Sequence, residues 1–95
     1  MAEGDFSHAQ GDGSRAEGEA SHAEGFESNA FANRSHAEGR HTLTKGLFSH
    51  AEGDSTITHN QGTHAEGLAS NAYGNYSHAE GRHTLTKGLF SHAEG

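Results

Sequence analysis

The sequence predicts an all-β fold, a parallel β-solenoid or β-roll of about seven coils, each with 14 residues and two short strands. Three observations predict it. Small residues recur at alternate positions within heptads that continue without insertion or deletion from one end of the chain to the other. Successive heptads carry different residues between the small ones, so the full period is 14. Proline is absent, as expected when every strand donates hydrogen bonds to neighbours on both sides.

Each heptad is built around one alanine or threonine. Ser or Thr stands two residues before it, and Gly stands two residues after it except at Ala32 and Asn60. A spacing of two is the period of a β-strand, so the three small residues line one face of a five-residue strand and the other two residues form a turn. The glycine suits the unusual backbone angles of such a corner. In every second heptad the central residue, expected in the repeat core, is Ala9, Ala23, Ala37, Ala51, Ala65, Ala79 or Ala93.

A period of seven is also typical of a helical coiled coil. That structure needs large apolar residues at two of the seven positions, whereas the periodic residues here are Ser, Ala and Gly. Each glycine would also cost a helix about 1 kcal/mol. The pattern therefore favours strands over helices.

The residues on either side of the central residue point away from the core and differ between alternate heptads. Every second heptad has His before its alanine and Glu after it, with Gln10 as the one variant, and we call these the motif strands. The variable strands between them carry other pairs, such as Leu43 and Lys45, so the two strands of a coil face different surroundings. We define the His/Glu ladder as His22, Glu24, His36, Glu38, His50, Glu52, His64, Glu66, His78, Glu80, His92 and Glu94.

A longer repeat lies above the 14-residue coil. Residues 28–53 recur at 70–95 with three substitutions, and the spacing of 42 residues corresponds to three whole coils. Such a copy keeps the register and presents the same surface again about 14 Å higher along the stack. Residues 1–95 are predicted to form a single repeat domain, roughly 33 Å tall.

Composition alone is typical of a disordered chain. Leu, Ile, Val and Phe make up only 11 of 95 residues, and the net charge is −7. No basic patch indicates a nucleic-acid surface, no apolar run could span a membrane, and no export signal opens the chain. Cysteine is absent, which excludes disulfides and thiolate metal sites. We expect no nucleic acid, no membrane contact by this segment and no cofactor.

The Ser-x-Ala-x-Gly strands resemble the head repeats of YadA-like trimeric autotransporter adhesins, and the Ser-His-Ala-Glu-Gly form is similar to repeats of bacterial surface and bacteriophage tail-fibre proteins. The resemblance covers the whole chain. It implies a left-handed parallel β-roll, a homotrimer, and a location outside the cell, on the cell surface or in the virion. One departure is that the family's outward positions on the motif strand are usually aliphatic, whereas here they are His and Glu, so a trimer interface there would be polar.

The few apolar residues gather on the variable strands and on the corner that follows them. A single solenoid would expose them to water, and such patches usually mark an interface. A threefold ring uses two different surfaces of each subunit, so we expect this side to meet a neighbour, with Lys45, Lys87, Arg40 or Arg82 near Glu residues. The candidate interface, which we call the apolar stripe, comprises Phe31, Leu43, Leu47, Phe48, Ile57, Tyr73, Leu85, Leu89 and Phe90.

The His/Glu ladder has three interpretations. The favoured one is structural, because opposite charges on neighbouring strands contribute about 0.2–1 kcal/mol per pair. The second is a divalent metal site for Zn²⁺, Ni²⁺ or Cu²⁺, although parallel side chains do not converge tetrahedrally by themselves. The third is a response to pH, since charging ten histidines would move the formal charge from −7 to +3.

Two classes of function remain after an enzyme is set aside. Every His, Ser and Glu belongs to a repeating unit, whereas a catalytic site is one unique constellation in a pocket. The first class is a rigid spacer and lateral binding surface of a surface adhesin or phage fibre, with a host surface or matrix component as partner. The second is a self-assembling filament subunit that stacks end to end, suggested by Met1 and Gly95 lying within the repeat, although a fragment of a longer array is the favoured interpretation of those ends.

Overall fold

The computed structural model describes residues 2–94, and the expectations about Met1 and Gly95 lie outside them. The predicted parallel β-solenoid is confirmed, with about six turns of about 14 residues and no helix in the described part. The strands are β1 (His8–Gln10), β2 (Arg15–Ala16), β3 (His22–Phe26), β4 (Asn29–Ala30), β5 (His36–Arg40), β6 (Leu43–Thr44), β7 (His50–Asp54), β8 (Ile57–Thr58), β9 (His64–Leu68), β10 (Asn71–Ala72), β11 (His78–Arg82), β12 (Leu85–Thr86) and β13 (His92–Glu94).

Two parallel sheets form the walls of the solenoid. The seven motif strands make one sheet in the order β1-β3-β5-β7-β9-β11-β13, and the six variable strands β2 to β12 make the other. Every neighbour is displaced by one coil, so Ala23 lies beside Ala37 and His22 beside His36. The Cα atoms extend over 32 × 21 × 10 Å, and the longest dimension is close to the expected height.

The interior contains only small side chains. Five of the seven predicted core alanines, from Ala23 to Ala79, are completely buried, together with the alanines of the variable strands. Ala9 and Ala93 are only half-buried, because their strands are the outermost of the sheet and have one neighbour each. The serines and threonines two residues before each centre are mostly buried as well. Cohesion therefore depends on backbone hydrogen bonds and close contact of the sheets rather than on large apolar groups.

Some buried hydroxyl groups pair across this narrow interior, whereas Oγ1 of Thr42, Thr56 and Thr84 has no hydrogen-bond partner. Thr44 Oγ1 donates to Ser35 Oγ at 2.9 Å, and Thr58 Oγ1 donates to Ser49 Oγ at the same distance. The serines of the motif strands in turn donate to the carbonyl three residues earlier, as Ser49 does to Gly46. Each such chain of donors links the two sheets and the corner between them.

The two kinds of strand differ in length, although five residues were predicted for each. Five-residue strands occur only among the motif strands, and β3 begins and ends one residue later than expected. At Gly25 φ is 112°, so the chain bends there and this glycine is exposed instead of facing the interior. The variable strands have two residues, because a turn follows at once: the N–H and Oγ of Ser21 both donate to the Gly18 carbonyl, at 3.2 and 2.7 Å.

A left-handed residue turns every corner. It is the fourth residue after each central Ala or Thr, and in eleven heptads it is not glycine, with φ between 53 and 61°. Its N–H donates to the carbonyl 15 residues earlier, as from His41 to Phe26 at 2.9 Å, so the hydrogen-bond ladder continues around the corner. The non-glycine corner residues are Phe6, Ala20, Glu27, Arg34, His41, Phe48, Ser55, Ala69, Tyr76, His83 and Phe90.

Candidate functional site

The His/Glu ladder lies on the outer face of the motif-strand sheet. An alanine that faces the interior separates each His from its Glu, so both side chains leave the strand on the solvent side. The 14-residue register then places identical side chains above one another, His36 beside His50 and Glu38 beside Glu52. The structure therefore brings the predicted ladder residues together as one continuous column.

The imidazole rings of this column are stacked. From His22 to His92 successive ring centroids lie 4.5–4.8 Å apart, and the ring planes are within 10° of parallel. His8 continues the column with a tilt of 36°. The Nε2 atoms of the stacked rings all face the neighbouring row of glutamates.

Each inner histidine faces two carboxylates. His50 Nε2 lies 3.5 Å from Glu38 Oε1 of the preceding coil and 3.8 Å from Glu52 Oε2 of its own strand. The corresponding distances elsewhere in the column range from 3.3 to 4.0 Å. The side chains are about one third exposed, with His50 at 35% and Glu38 at 31%. The expected pairing of imidazole and carboxylate along and between coils is thus present, at distances longer than most hydrogen bonds.

Four of these nitrogens have no hydrogen-bond partner. The Nε2 atoms of His22, His36, His50 and His64 are shielded from solvent yet unsatisfied. His78 Nε2 is 3.4 Å from Glu66 and His92 Nε2 is 3.3 Å from Glu80, within hydrogen-bonding distance. Sequence reasoning predicted the column but missed this shielding, because residue spacing carries no information about how closely a carboxylate covers a ring nitrogen.

The surroundings within the ladder lower the pKa of two histidines, His36 and His50, and of one glutamate, Glu24. Burial lowers the pKa of His36, and repulsion from His50 and His22 lowers it further. Burial and repulsion from His64 likewise lower the pKa of His50. At Glu24 a hydrogen bond with the Glu38 carboxyl group lowers the pKa, and the charges of His22 and His36 act in the same direction.

The ladder can supply several sets of metal-ligand atoms. In four sets of three residues, one ligand atom from each residue lies within 4.8 Å of the other two. Imidazole nitrogen and carboxylate oxygen are the donors that Zn²⁺ and similar ions use. The four sets are His22/Glu24/His36, His36/Glu38/His50, His64/Glu66/His78 and Glu80/His92/Glu94.

The apolar stripe occupies the opposite sheet and one corner column. Leu85 lies on β12, and Phe31 and Tyr73 immediately follow β4 and β10. These three side chains are 38–47% exposed, whereas Leu43 and Ile57 are half-buried. The other four stripe residues lie on the corner that follows, and Phe90 is 72% exposed. The structure thus places these nine residues on one side of the solenoid.

The corner column also contains contacts that sequence reasoning missed. Arg34 lies over the ring of Phe48 at 5.5 Å, and the rings of Tyr76 and Phe90 stack at 5.5 Å. The signal was present, since these four residues are spaced by 14 residues or multiples of 14. Two further exposed apolar residues, Phe26 and Leu68, lie on the other corner and outside the stripe.

The motif serines and the ladder histidines lie on opposite sides of the same strands. Ser21 Oγ is buried and donates to the Gly18 carbonyl, while the neighbouring His22 side chain faces outward. The hydroxyl groups of these strands therefore point away from the ladder imidazoles, and the repeat does not bring a serine and its adjacent histidine together.

Comparison with protein-family models and with curated proteins gives no match to this chain. Residues 2–94 include no helix with the length and apolar character needed to cross a membrane.

Proposed function

We propose that the chain is a rigid structural segment of a bacterial surface adhesin or phage fibre, located outside the cell or in the virion. It serves as a spacer and as a lateral binding surface for a host surface or matrix component, and it has no catalytic role. The observation that carries the proposal is the uninterrupted stacking of motif strands in one register from β1 to β13. A surface that repeats coil by coil suits a spacer or an extended contact, whereas an enzyme needs one unique pocket.

Stiffness follows from the backbone. Every inner strand has hydrogen-bonded neighbours on both sides, and the corner N–H groups extend the ladder between the sheets. The interior holds alanine, serine and threonine with little room to rearrange. A bend would therefore have to break several backbone hydrogen bonds at once.

Oligomer formation is the second part of the proposal, and we assign the chain to a homotrimer of left-handed coils, as the family resemblance implies. The support is the apolar stripe, since seven of its nine side chains are among the eleven large apolar side chains that are exposed within residues 2–94. In a threefold ring this side of one chain meets a different side of the next. Lys45 and Lys87, which immediately follow β6 and β12, complement the glutamates of a neighbour's ladder.

Sedimentation equilibrium with a matched pair of variants tests the oligomer. The chain has a mass of 10.0 kDa, and we expect a species of three times that mass. Phe48→Asp places a charge in the stripe, whereas Phe26→Asp places one on the other corner at nearly the same exposure, 49% against 45%. We expect dissociation by Phe48→Asp alone. A wild-type monomer at every concentration, or equal effects of the two variants, would refute the interface.

Electron microscopy of the purified chain separates the two classes of function. Discrete short rods are expected from a segment of a fibre. Indefinite filaments of stacked chains would instead support a self-assembling filament subunit and contradict the spacer proposal.

A further inference from the structure

We propose that the His/Glu ladder is a row of binding sites for divalent ions such as Zn²⁺ or Ni²⁺, formed within a single chain. In the inner sites the Nε2 atoms of two successive histidines and a carboxylate oxygen of the glutamate between them bind one ion. This inference stands apart from the proposed function, because it needs neither an oligomer nor a partner.

The ligand atoms are close to the required positions. In the set His22/Glu24/His36, Glu24 Oε2 lies 3.7 Å from His22 Nε2, and Glu24 Oε1 lies 4.0 Å from His36 Nε2. Two ligands of a tetrahedral ion with bonds of about 2.0–2.2 Å are about 3.4 Å apart. The outward-facing side chains reach that spacing by rotating toward one another, and the strands that carry them stay in register.

The shielded histidine nitrogens are the observation that points to a ligand. A buried polar atom without a partner is unfavourable, and four neighbouring Nε2 atoms of this column share that condition. Ions at the ring tips would satisfy three of these four nitrogens at a time.

The geometry also determines how many ions bind. A neutral imidazole whose Nδ1 carries the proton has one lone pair at Nε2, so a histidine shared by two sets serves only one of them at a time. Of the four sets, three have no residue in common: His22/Glu24/His36, His64/Glu66/His78 and Glu80/His92/Glu94. We therefore expect saturation at three ions per chain.

Isothermal titration with ZnCl₂ on the full chain measures this number, and two double variants locate the ions. His36→Asn with His64→Asn removes a ligand from every set except Glu80/His92/Glu94, so the number should fall from three to one. The matched control, His41→Asn with His83→Asn, also removes two histidines, but from corners off the ladder, and should keep three. Absence of binding by wild type, or equal loss in both variants, would overturn the proposal.

A measurement on the wild-type chain covers the case in which the ladder variant does not fold. Long-range ¹H–¹⁵N spectra report each imidazole nitrogen, and ZnCl₂ should shift the Nε2 resonances of the ladder histidines while those of His41, His59 and His83 stay in place. Shifts confined to these three histidines would contradict the proposal. The Phe48→Asp variant should still bind zinc, whether or not it is monomeric. Its zinc binding therefore tests the metal sites independently of the proposed oligomer.

Discussion

Gly39→Ala should destabilise the solenoid strongly, although residue 39 is exposed. Gly39 has φ of 115°, and a Cβ placed there would overlap the carbonyl oxygen of Gly53 in the next coil and lie 2.9 Å from its nitrogen. The obstacle is backbone on both sides, so neither partner can rotate away. The two residues are register partners in β5 and β7, at the centre of the motif-strand sheet.

The magnitude follows from two contributions. A non-glycine residue at positive φ costs about 1–2 kcal/mol, and an extra methyl group forced into a packed contact costs about 1–3 kcal/mol. We expect a loss of about 3 kcal/mol or more. In a domain of this size 1 kcal/mol corresponds to about 4–8 °C in Tm, so Tm should fall by at least about 12 °C.

Gly13→Ala is the matched control. Gly13 also has positive φ, 74°, but it lies at the corner position where other coils accept Glu27, His41 or Ser55. A Cβ there is tight only against the Cγ of the flexible Glu27 side chain, at 3.1 Å, and the Glu27 backbone lies at an ordinary contact distance of 3.8 Å. We expect a change within about 2 kcal/mol. Thermal and urea unfolding followed by circular dichroism compare the two variants, and equal losses would refute the argument from backbone overlap.

Three further outcomes can be checked by urea unfolding. Ala69→Gly should stabilise the fold by up to about 1 kcal/mol, because glycine relieves the left-handed backbone strain at that corner, and the added entropy of the unfolded chain costs less than the strain. A clear decrease in the free energy of unfolding would contradict this prediction. Ala51→Leu should destabilise by at least about 1–3 kcal/mol, since Ala51 is fully buried between close sheets; an unchanged midpoint would mean that the interior has room. The pKa values of His36 and His50 are lowered from 6.5 in the folded state, so the unfolded chain binds more protons as the pH falls. Their contribution to the free energy of unfolding is therefore full above about pH 6.5 and decreases below it. A higher urea midpoint at about pH 5.5 than at about pH 7.5 would contradict this prediction.

Much of the fold could be predicted from the sequence, because alternation determines which way a side chain points. The spacing of Ser21, Ala23 and Gly25 predicted a strand, and the change of partners between alternate heptads predicted two sheets. The column of His22 and its equivalents followed from the same phase. These are properties of period and register, which residue identity reports directly.

The backbone angles could not be predicted in this way. The corner position holds Glu27, His41, Ser55 and Ala69 in successive coils, so no residue type marks its left-handed conformation. The unequal strands have the same origin, since the glycine at Gly25 bends the chain while the equivalent Gly46 is buried. Periodicity shows which residues are equivalent within one kind of strand, and the two kinds of strand differ in how they end.

The constant register between coils has a consequence for how such a protein can change in size. Any insertion of 14 residues that follows the motif adds one coil of about 4.8 Å and leaves the contacts above and below it unchanged. The copy of residues 28–53 at 70–95 is an example, and its spacing of 42 residues corresponds to three coils. Genetic duplication can therefore change the length of the solenoid in fixed increments without requiring a different core.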